Sequence, residues 1–385
     1  MRVLHYQRTF STLSETFLYS YLTGLERQGV ECHVLTHERR NADERPFTNV
    51  HQVETPSKWH PRRLAWGLLA RIGIGGSIQD SYLRERQRQF ETVGRNVNPD
   101  VLHAHFGREG VVLAPVARRL GCPLVVTFYG FDISLLPKKE KWAKAYEKLW
   151  PQTDAVTVLS EEMEDAAQEL GCPEEKISIV HLSRELDQFT FQPSTQEVRR
   201  LLFVGRLTPK KAPLDAVRAL EQANRNGADL QLDIVGYGAL REDVEQYIDE
   251  HDLDEEVVLH GRVPSEKVAE HMKAADAFVL PSKTSPDGDR EGTPTVLVEA
   301  QATGLPCIST RHAGIPEMIP EENHHLLVEE GDVKGLANRF SRVASLSEKR
   351  LQAIAERGRR KVENEFSLSA QCRELRSVYR SVQRD

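Results

Sequence analysis

The sequence is poor in cysteine and has no long apolar stretch. Its five cysteines are scattered through 385 residues without a short paired spacing, which argues against a disulfide framework and against a zinc site. No run approaches the roughly 18 to 20 apolar residues that a membrane-spanning helix needs, and residues 1–10 lack the apolar region of a signal peptide. We therefore expect reduced cysteines and a cytoplasmic protein, either free or peripheral at the inner membrane face.

Length and composition exclude bulk disorder and a single small domain. The chain is 39% hydrophobic and 28% charged, with 24 Gly and 19 Pro, which is typical of a soluble folded protein. Its 385 residues exceed what one hydrophobic core usually serves, so we expect two domains of about 150 to 200 residues each. A two-domain enzyme is the favoured outline.

The net charge of −7 is unevenly distributed along the chain. Residues 1–150 contain 22 Lys and Arg against 15 Asp and Glu, whereas residues 151–385 contain 29 against 43. A basic N-terminal half suits an anionic surface, either lipid headgroups or an acidic acceptor, and the alternative is a solvated charge distribution without a partner. Nucleic acid is not expected as a partner, because no nucleic-acid-binding motif accompanies the charge.

Short apolar segments alternate with helical patterns along the whole chain. The segments with strand character occupy residues 2–6, 32–36, 100–106, 123–128, 155–160, 177–181, 201–205, 230–236, 257–261, 277–282, 306–310 and 325–328. Strands that alternate with helices form parallel sheets with right-handed crossovers. A polar connector at 186–200 divides the series, so the predicted fold is α/β, with doubly wound Rossmann-like domains at 1–186 and 187–365 facing a central cleft.

Two glutamates lie eight residues apart in the segment EGTPTVLVEA. Glu291 precedes a helix predicted from about Thr295, and Glu299 lies within it, so a rise of about 1.5 Å per residue places the carboxylates roughly 10 Å apart. Glycosidase carboxylate pairs lie closer, at about 5 to 9.5 Å, so these two fit opposite ends of an extended ligand better. The alternative is an acidic residue at a helix start and a solvated helix glutamate.

A cationic loop follows a predicted strand in VGRLTPKKAP. Arg206 and Lys211 lie where the strand leads into a helix, and two cations beside exposed helical N–H groups suit a diphosphate. The spacing matches neither a Walker loop nor a kinase glycine loop. Surface basic residues in a turn are the alternative interpretation.

The segments GRLTPKKAP, IVGYGALR, VLHGRV, ADAFVLPS, EGTPTVLVEAQATGLPCIST and HAGIPEMI occur in this order over most of residues 201–319. Together they resemble the retaining glycosyltransferases of family 4, which have the GT-B fold. The resemblance implies metal-independent transfer of a hexose, with retention, from a nucleotide diphosphate sugar (UDP or GDP) to a hydroxyl of a glycan or lipid-linked acceptor, with no further cofactor. The alternatives are a small soluble acceptor, a GT-B epimerase, or a non-catalytic sugar-nucleotide-binding module.

The resemblance also implies roles for individual residues of the second half. Arg206 and Lys211 are similar to the pair that neutralises the leaving diphosphate, Glu291 to the residue at the donor sugar, and Glu299 to the acceptor for ribose hydroxyls. Further donor-binding positions by resemblance are Gly205, Gly236, Arg262, Gly292, Thr293 and Pro294. In relatives the C-terminal helix, here at 366–385, returns to the N-terminal, acceptor-side domain.

The first half departs from the common family pattern. Relatives carry a histidine before the glycine of VTFYGFDIS, where this chain has Tyr129, whose hydroxyl can still donate a hydrogen bond to the donor sugar. The first strand is followed by STLSETF, and Ser14 and Glu15 there, like DGDREGTP, resemble exopolysaccharide enzymes of the colanic-acid type. His105 and Asp132 complete the residues expected on the acceptor or donor-sugar side.

Two further segments carry candidate functions. His103 and His105 share a strand face and could bind a metal, but no carboxylate at ligand spacing joins them, so a packed or cleft-facing role is favoured and no metal is expected.

Residues 58–88 combine tryptophans with seven Lys and Arg against two acidic residues. This composition predicts an interfacial helix that binds a membrane peripherally, and the alternative is a packed acceptor-side helix. The sequence does not indicate an oligomeric state.

Overall fold

The computed structural model describes residues 1–12, 16–54, 78–194 and 197–383. The chain forms two compact units. The first comprises Met1–Val158, Met163–Val180 and Cys372–Asp385, and the second comprises Leu159–Glu162 and His181–Gln371. Among the described residues, no helix combines the length and the apolar character needed to cross a bilayer.

The described part of the first unit contains a parallel sheet of seven strands. Across the sheet these are β5 (Val50–Gln52), β3 (Glu31–Thr36), β1 (Arg2–Tyr6), β6 (Val101–His105), β7 (Leu124–Thr127), β8 (Ala155–Val158) and β9 (Ile177–Ile179). A short parallel pair is formed by β2 (Thr9–Phe10) and β4 (Glu38–Arg39). The central strands are buried along their whole length and are mostly apolar, as expected for a parallel sheet covered on both faces.

Helices connect these strands and complete the unit. They are α1 (Thr16–Arg27), α2 (Ile78–Val97), α3 (Gly107–Leu120), α4 (Phe131–Ser134), α5 (Glu140–Leu149), α6 (Glu161–Glu169) and, at the C-terminus, α14 (Leu368–Val382). Residues of α14 from Cys372 onward belong to the first unit, where the Arg376 guanidinium donates to the carbonyl oxygen of Gln28 at 2.9 Å. The C-terminal helix therefore completes the N-terminal unit.

The described part of the second unit contains a parallel sheet of six strands. Across it lie β12 (Val257–Gly261), β11 (Gln231–Val235), β10 (Arg200–Val204), β13 (Ala277–Leu280), β14 (Cys307–Thr310) and β15 (Leu327–Val328). Its helices are α7 (Pro213–Arg225), α8 (Arg241–Glu250), α9 (Ser265–Ala274), α10 (Thr295–Thr303), α11 (Ile315–Met318), α12 (Val333–Ala344) and α13 (Glu348–Lys361), the last followed by a π-helical turn at Val362–Phe366. Leu, Val, Ile and Phe side chains from the sheet and these helices form one continuous core.

Both sheets have the strand order of a doubly wound fold. When the strands of each sheet are numbered in chain order, each sheet runs 3-2-1-4-5-6, with one more strand at the end of the first. Chain connections leave the neighbouring strands β10 and β13 in opposite directions, as they do at β1 and β6, and ligands of such sheets bind beyond the carboxyl ends of that strand pair. The predicted α/β class with two doubly wound sheets is confirmed.

Candidate functional site

In the second unit, the carboxyl ends of β10 and β13 bring Lys211 and Glu291 together. The Lys211 Nζ lies 2.7 Å from Glu291 Oε1, and both side chains are largely buried. Lys211 ends a short 3₁₀ turn at Pro209–Lys211 after β10, and Glu291 ends the loop after β13. Two loops that are far apart in the sequence are thus joined by an ion pair at the position where a doubly wound sheet binds its ligand.

The surroundings of Glu291 favour its ionised form. Burial alone would raise the pKa of this carboxyl, but the charges of Lys211 and Lys210 and the hydrogen bond with Lys211 bring the pKa below its ordinary value. The Ser282 hydroxyl also donates to Oε1, at 3.2 Å. Glu291 is therefore a buried carboxylate that accepts hydrogen bonds at neutral pH.

His312 supports the backbone at Glu291. The Glu291 N–H donates to His312 Nε2 at 3.1 Å, so the ring carries its proton on Nδ1, which donates to Glu330 Oε1 at 2.6 Å. Glu330 in turn accepts from the Thr284 N–H at 2.8 Å. This chain of three hydrogen bonds fixes both ends of the loop after β13, because Thr284 lies near its start and Glu291 at its end.

Three of the lysines at these loops are paired, whereas Arg206 is not. Lys210 lies 2.8 Å from Asp289 Oδ2, and Lys283 lies 2.5 Å from Asp215 Oδ2. Arg206 lies two residues after the end of β10, is exposed, and has no carboxylate partner among the described residues. A dianionic ligand at this edge of the sheet would meet an unneutralised guanidinium and the partly neutralised ammonium of Lys211.

Glycines allow the loops after β10 and β11 to approach each other. A Cβ on Gly236 would lie 1.8 Å from the Gly205 carbonyl oxygen, and a Cβ on Gly238 would lie 2.3 Å from the Leu207 oxygen. The Gly236 N–H donates to the Gly261 oxygen at 2.8 Å, which brings the start of the next loop alongside. That loop carries Arg262, which is exposed and has no ion-pair partner among the described residues.

The segment before α10 is held by side-chain and backbone contacts. The buried Thr293 hydroxyl donates to the Leu159 oxygen at 2.9 Å. A Cβ on Gly314 would lie 3.1 Å from the Gly292 oxygen, so Gly314 leaves room for this loop. Pro294 then precedes the first residue of α10, a position that suits proline because the first helical N–H groups have no intrahelical partner.

Glu299 is buried on α10 and is not a solvated helix glutamate. Its side chain is 9% exposed, and Arg184 Nε lies 2.5 Å from Oε1. Burial raises the pKa of the Glu299 carboxyl, and the positive charge of Arg184 partly opposes this effect. Arg184 lies in the segment before β10 and was not predicted from the sequence.

In the first unit, the carboxyl ends of β1 and β6 carry a chain of hydrogen-bonded rings. His5 Nδ1 lies 3.1 Å from His105 Nε2, and His105 Nδ1 lies 2.7 Å from the Tyr129 hydroxyl. His103 Nδ1 lies 2.6 Å from the Tyr379 hydroxyl of the C-terminal helix. The expected residues His105 and Tyr129 are thus in direct contact, and His5 and Tyr379 extend the group.

The three histidines of this group are neutral and close together. Burial first, and then the neighbouring imidazoles, lower the pKa of His5, His103 and His105 well below the usual range. One ring nitrogen from each lies within 4.8 Å of the others, a separation at which they could bind a metal ion. Hydrogen bonds already engage both nitrogens of His103 and of His105. The geometry therefore supports a hydrogen-bonded network at this strand edge at least as well as it supports a metal site.

Asp132 acts on the backbone around Tyr129. Its buried carboxylate accepts from the Gly107 N–H and from the Tyr129 N–H, each at 2.8 Å. Burial raises the pKa of Asp132 to about 6, and these hydrogen bonds limit the increase. Asp132 therefore ties the loop after β7 to the start of α3. The remaining first-half candidates, Ser14, Glu15 and residues 58–77 of the segment 58–88, lie outside the described residues.

Comparisons with known proteins assign the chain to a family. The family model described as Glycosyltransferase Family 4 matches residues 14–188, and the model described as Glycosyl transferases group 1 matches residues 186–361. The amylovoran biosynthesis glycosyltransferase AmsK of Erwinia amylovora is 34% identical over 284 residues, which are 72% of this chain and 69% of AmsK. The chain belongs to the glycosyltransferases.

Two more comparisons cover almost the whole chain. WcaL of Escherichia coli (strain K12), a glycosyltransferase named for colanic acid biosynthesis, is 29% identical over 410 residues, covering 99% of this chain and 100% of WcaL. The structure of HepE from Anabaena in complex with UDP and glucose covers 99% of this chain and 100% of HepE, with 16% identity and a TM-score of 0.75. The GT-B fold and the resemblance to exopolysaccharide enzymes of the colanic-acid type are confirmed.

Several residues that shape the two sites were missed in the sequence. His312 lies two residues after the end of β14, and His5 is the residue before the last of β1, so their positions near the carboxyl ends of buried strands could have indicated them. Arg184 and Tyr379 offered no such signal, since each contacts a partner more than 100 residues away. The functional roles assigned to Arg206, Lys211, Glu291 and Glu299 stay predictions. The first three lie at the carboxyl edge of the second sheet, and Glu299 lies on α10.

Proposed function

We propose that this glycosyltransferase moves a sugar from a nucleotide diphosphate sugar to a hydroxyl of a glycan or lipid-linked acceptor, with retention and without a metal ion. The observation that carries the proposal is the cationic edge beyond β10. Arg206 is exposed and without a carboxylate partner among the described residues, and Lys211 lies against Glu291 at the same edge. A leaving diphosphate gains negative charge as its bond to the sugar breaks, and fixed cations stabilise that charge.

The state of Glu291 supports retention by attack on the same face of the sugar. Its Oε1 is already engaged by Lys211 and by the Ser282 hydroxyl, which makes the carboxylate a poor covalent nucleophile. In the proposed step, the acceptor oxygen bonds to the anomeric carbon while the bond from that carbon to the diphosphate oxygen breaks. The acceptor hydroxyl proton passes to the leaving phosphate oxygen, and Glu291 orients the donor sugar by accepting from its hydroxyls.

The relatives support the class of acceptor. AmsK and WcaL are named for the biosynthesis of amylovoran and of colanic acid, so we propose a growing glycan or its lipid-linked form as the acceptor of this enzyme. We place acceptor binding on the first unit, whose strand edge presents His105 and Tyr129. The Tyr129 hydroxyl, next to a neutral histidine, is suited to hydrogen-bond a sugar hydroxyl.

Binding and product analysis test the proposal. Thermal unfolding should be measured with UDP-, GDP- and ADP-sugars, because a ligand present at 100 times its Kd stabilises the folded state by about 2.7 kcal/mol. The donor that stabilises the protein is then incubated with acceptor, and proton NMR of the first product gives the anomeric configuration. We expect the configuration of the donor. Stabilisation by no nucleotide sugar would contradict the donor assignment, and an inverted product would contradict retention.

A further inference from the structure

Glu299 places a carboxylate on a helix whose side chains are buried on all sides, which is unusual for a charged group. The side chains from Leu297 to Thr303 on α10 are all buried. A buried carboxylate that is to stay ionised needs a positive partner or several hydrogen bonds. Arg184 provides the partner, with 2.5 Å between its Nε and Glu299 Oε1.

The backbone of Arg184 is fixed on both sides. Its N–H donates to the Phe366 oxygen at 3.2 Å, and its own carbonyl oxygen accepts from the Leu368 N–H at 2.9 Å. These bonds form a bridge to Ser367, just after the π-helical turn. The guanidinium therefore extends from an anchored segment, and its side chain is 33% exposed, so it reaches Glu299 from the solvent side.

Several titratable groups on the elements packed against α10 are engaged elsewhere. On α13, Arg359 pairs with Glu363 and donates to the carbonyl oxygen of Ala302, and Lys361 pairs with Glu365. On α9, His271 packs against the ring of His260. Among the described residues, Arg184 is the charge that pairs with Glu299, and no hydrogen bond from a described residue reaches Glu299 Oε2.

We propose that Arg184 is the positioning residue of the ribose subsite: it holds Glu299 through Oε1 and leaves Oε2 to accept hydrogen bonds from the ribose hydroxyls of the donor nucleotide. This inference rests on the proposed function, which assigns Glu299 to the ribose. An ionised carboxylate is purely an acceptor on both oxygens, and Arg184 favours this form because it opposes the increase in the pKa of Glu299 that burial causes.

The inference predicts an effect of Arg184 that depends on the ribose hydroxyls. The Kd values of UDP, GDP and ADP are measured by calorimetry for wild type, Arg184→Met and the control Arg311→Met, an exposed arginine of the same unit that lies 3.8 Å from Glu329. The nucleotide that binds most tightly is then compared with its 2′,3′-dideoxy analogue. We expect Arg184→Met to weaken the ribonucleotide by about 10-fold or more and the dideoxy analogue by less than about twofold, since a hydrogen bond to a charged group is lost only in the first case.

Several outcomes separate this inference from the proposed function. An equal loss for the two nucleotides, or no loss for the ribonucleotide, would overturn the role of Arg184 and leave the donor assignment intact. Wild type that binds none of UDP, GDP and ADP would overturn both. If Arg184→Met does not fold, Arg184→Lys keeps the charge, and the same comparison applies: we expect a smaller loss, again confined to the ribonucleotide, and an equal loss for both nucleotides would overturn the inference.

Discussion

Lys211 and Glu291 form a buried ion pair, with 2.7 Å between Nζ and Oε1, that joins the loops after the first and fourth strands of the second sheet. The pair explains how a carboxylate can remain ionised at a largely buried position. It also distinguishes Lys211 from Arg206 in the loop after β10, where the third cation, Lys210, is paired with Asp289. Lys211 is partly neutralised by Glu291, so Arg206 contributes the unneutralised charge at the edge of the sheet.

The ion pair predicts opposite behaviour for single and double substitutions. Lys211→Met leaves Glu291 buried without its partner, so the free energy of unfolding should fall by about 3 to 5 kcal/mol, and turnover by about 10²-fold or more. Adding Glu291→Gln removes the buried charge and should recover a large part of the stability but none of the activity. Urea unfolding of the four proteins measures the coupling. Additive losses in the double variant would show that the two side chains do not stabilise each other.

A chelator should leave the enzyme active. The proposed site neutralises the leaving diphosphate with Arg206 and Lys211, and this role is otherwise filled by a divalent cation. We expect equal initial rates with and without excess EDTA. Loss of the rate in EDTA, restored by Mg²⁺ or Mn²⁺, would show that an ion performs this role.

The basic segment 58–88 should bind anionic membranes in a salt-sensitive way. Each Lys or Arg near such a surface contributes about 1 kcal/mol, and screening acts within about 10 Å at 0.1 M salt, so binding should be lost as the salt concentration rises. Replacing Arg62, Arg63 and Arg71 with Gln should release the protein from vesicles without changing donor binding. A triple variant with Gln at Arg225, Arg311 and Arg350, three exposed arginines of the second unit, is the control. Wild type that stays in the supernatant at low salt would favour an acceptor that is not presented by a membrane.

Glu109 should make the first unit less stable as the pH rises. Burial raises the pKa of this carboxyl to about 7 from an ordinary 4.5, so the folded state binds its proton more tightly than the unfolded state does. The free energy of unfolding contributed by the group therefore falls as the pH rises from about 4.5 to 7, and the deficit is complete above that range. Glu109→Gln should remove a pH-dependent difference of roughly 2 to 4 kcal/mol between pH 5 and pH 8.5.

Denaturant unfolding at the two pH values measures this difference. Glu140→Gln is a matched control, because Glu140 lies on the exposed surface of the same unit with its side chain 81% exposed. We expect the control to follow the wild-type curve. If the free energy of unfolding of Glu109→Gln changes between the two pH values as much as that of wild type does, the Glu109 carboxyl does not retain its proton in the folded state.

The architecture and the donor-side loops could be predicted because they depend on local patterns. Buried parallel strands appear as continuous apolar runs, and polar residues directly after such runs, as at Arg206, lie at the carboxyl edge of the sheet. Glu291 and Glu299 were recognisable from the predicted helix start at about Thr295, which lies just after Glu291 and places Glu299 within the helix. What could not be predicted is which of these charges are neutralised, because this depends on burial and on partners from other loops.

The features that could not be predicted are contacts between residues that are far apart in the sequence. Arg184 and Glu299 are 115 positions apart, and His5 and His105 are 100 apart, so no periodicity in the sequence connects them. Asp132 was expected on the substrate side, and the structure places its carboxylate on two backbone N–H groups. A carboxylate in a loop after a strand is compatible with either role until its hydrogen-bond partners are known.

The departure of the donor diphosphate at Arg206 is tested most directly by the rate of nucleoside diphosphate release. The rate is measured from the stabilising nucleotide sugar, in EDTA, for wild type, Arg206→Ala and the exposed helical control Arg350→Ala, with urea unfolding to verify the fold. We predict that Arg206→Ala lowers the rate by about 10²-fold or more without a change in the unfolding midpoint, and that Arg350→Ala changes neither. A folded Arg206→Ala protein that releases nucleoside diphosphate at the wild-type rate would contradict the account.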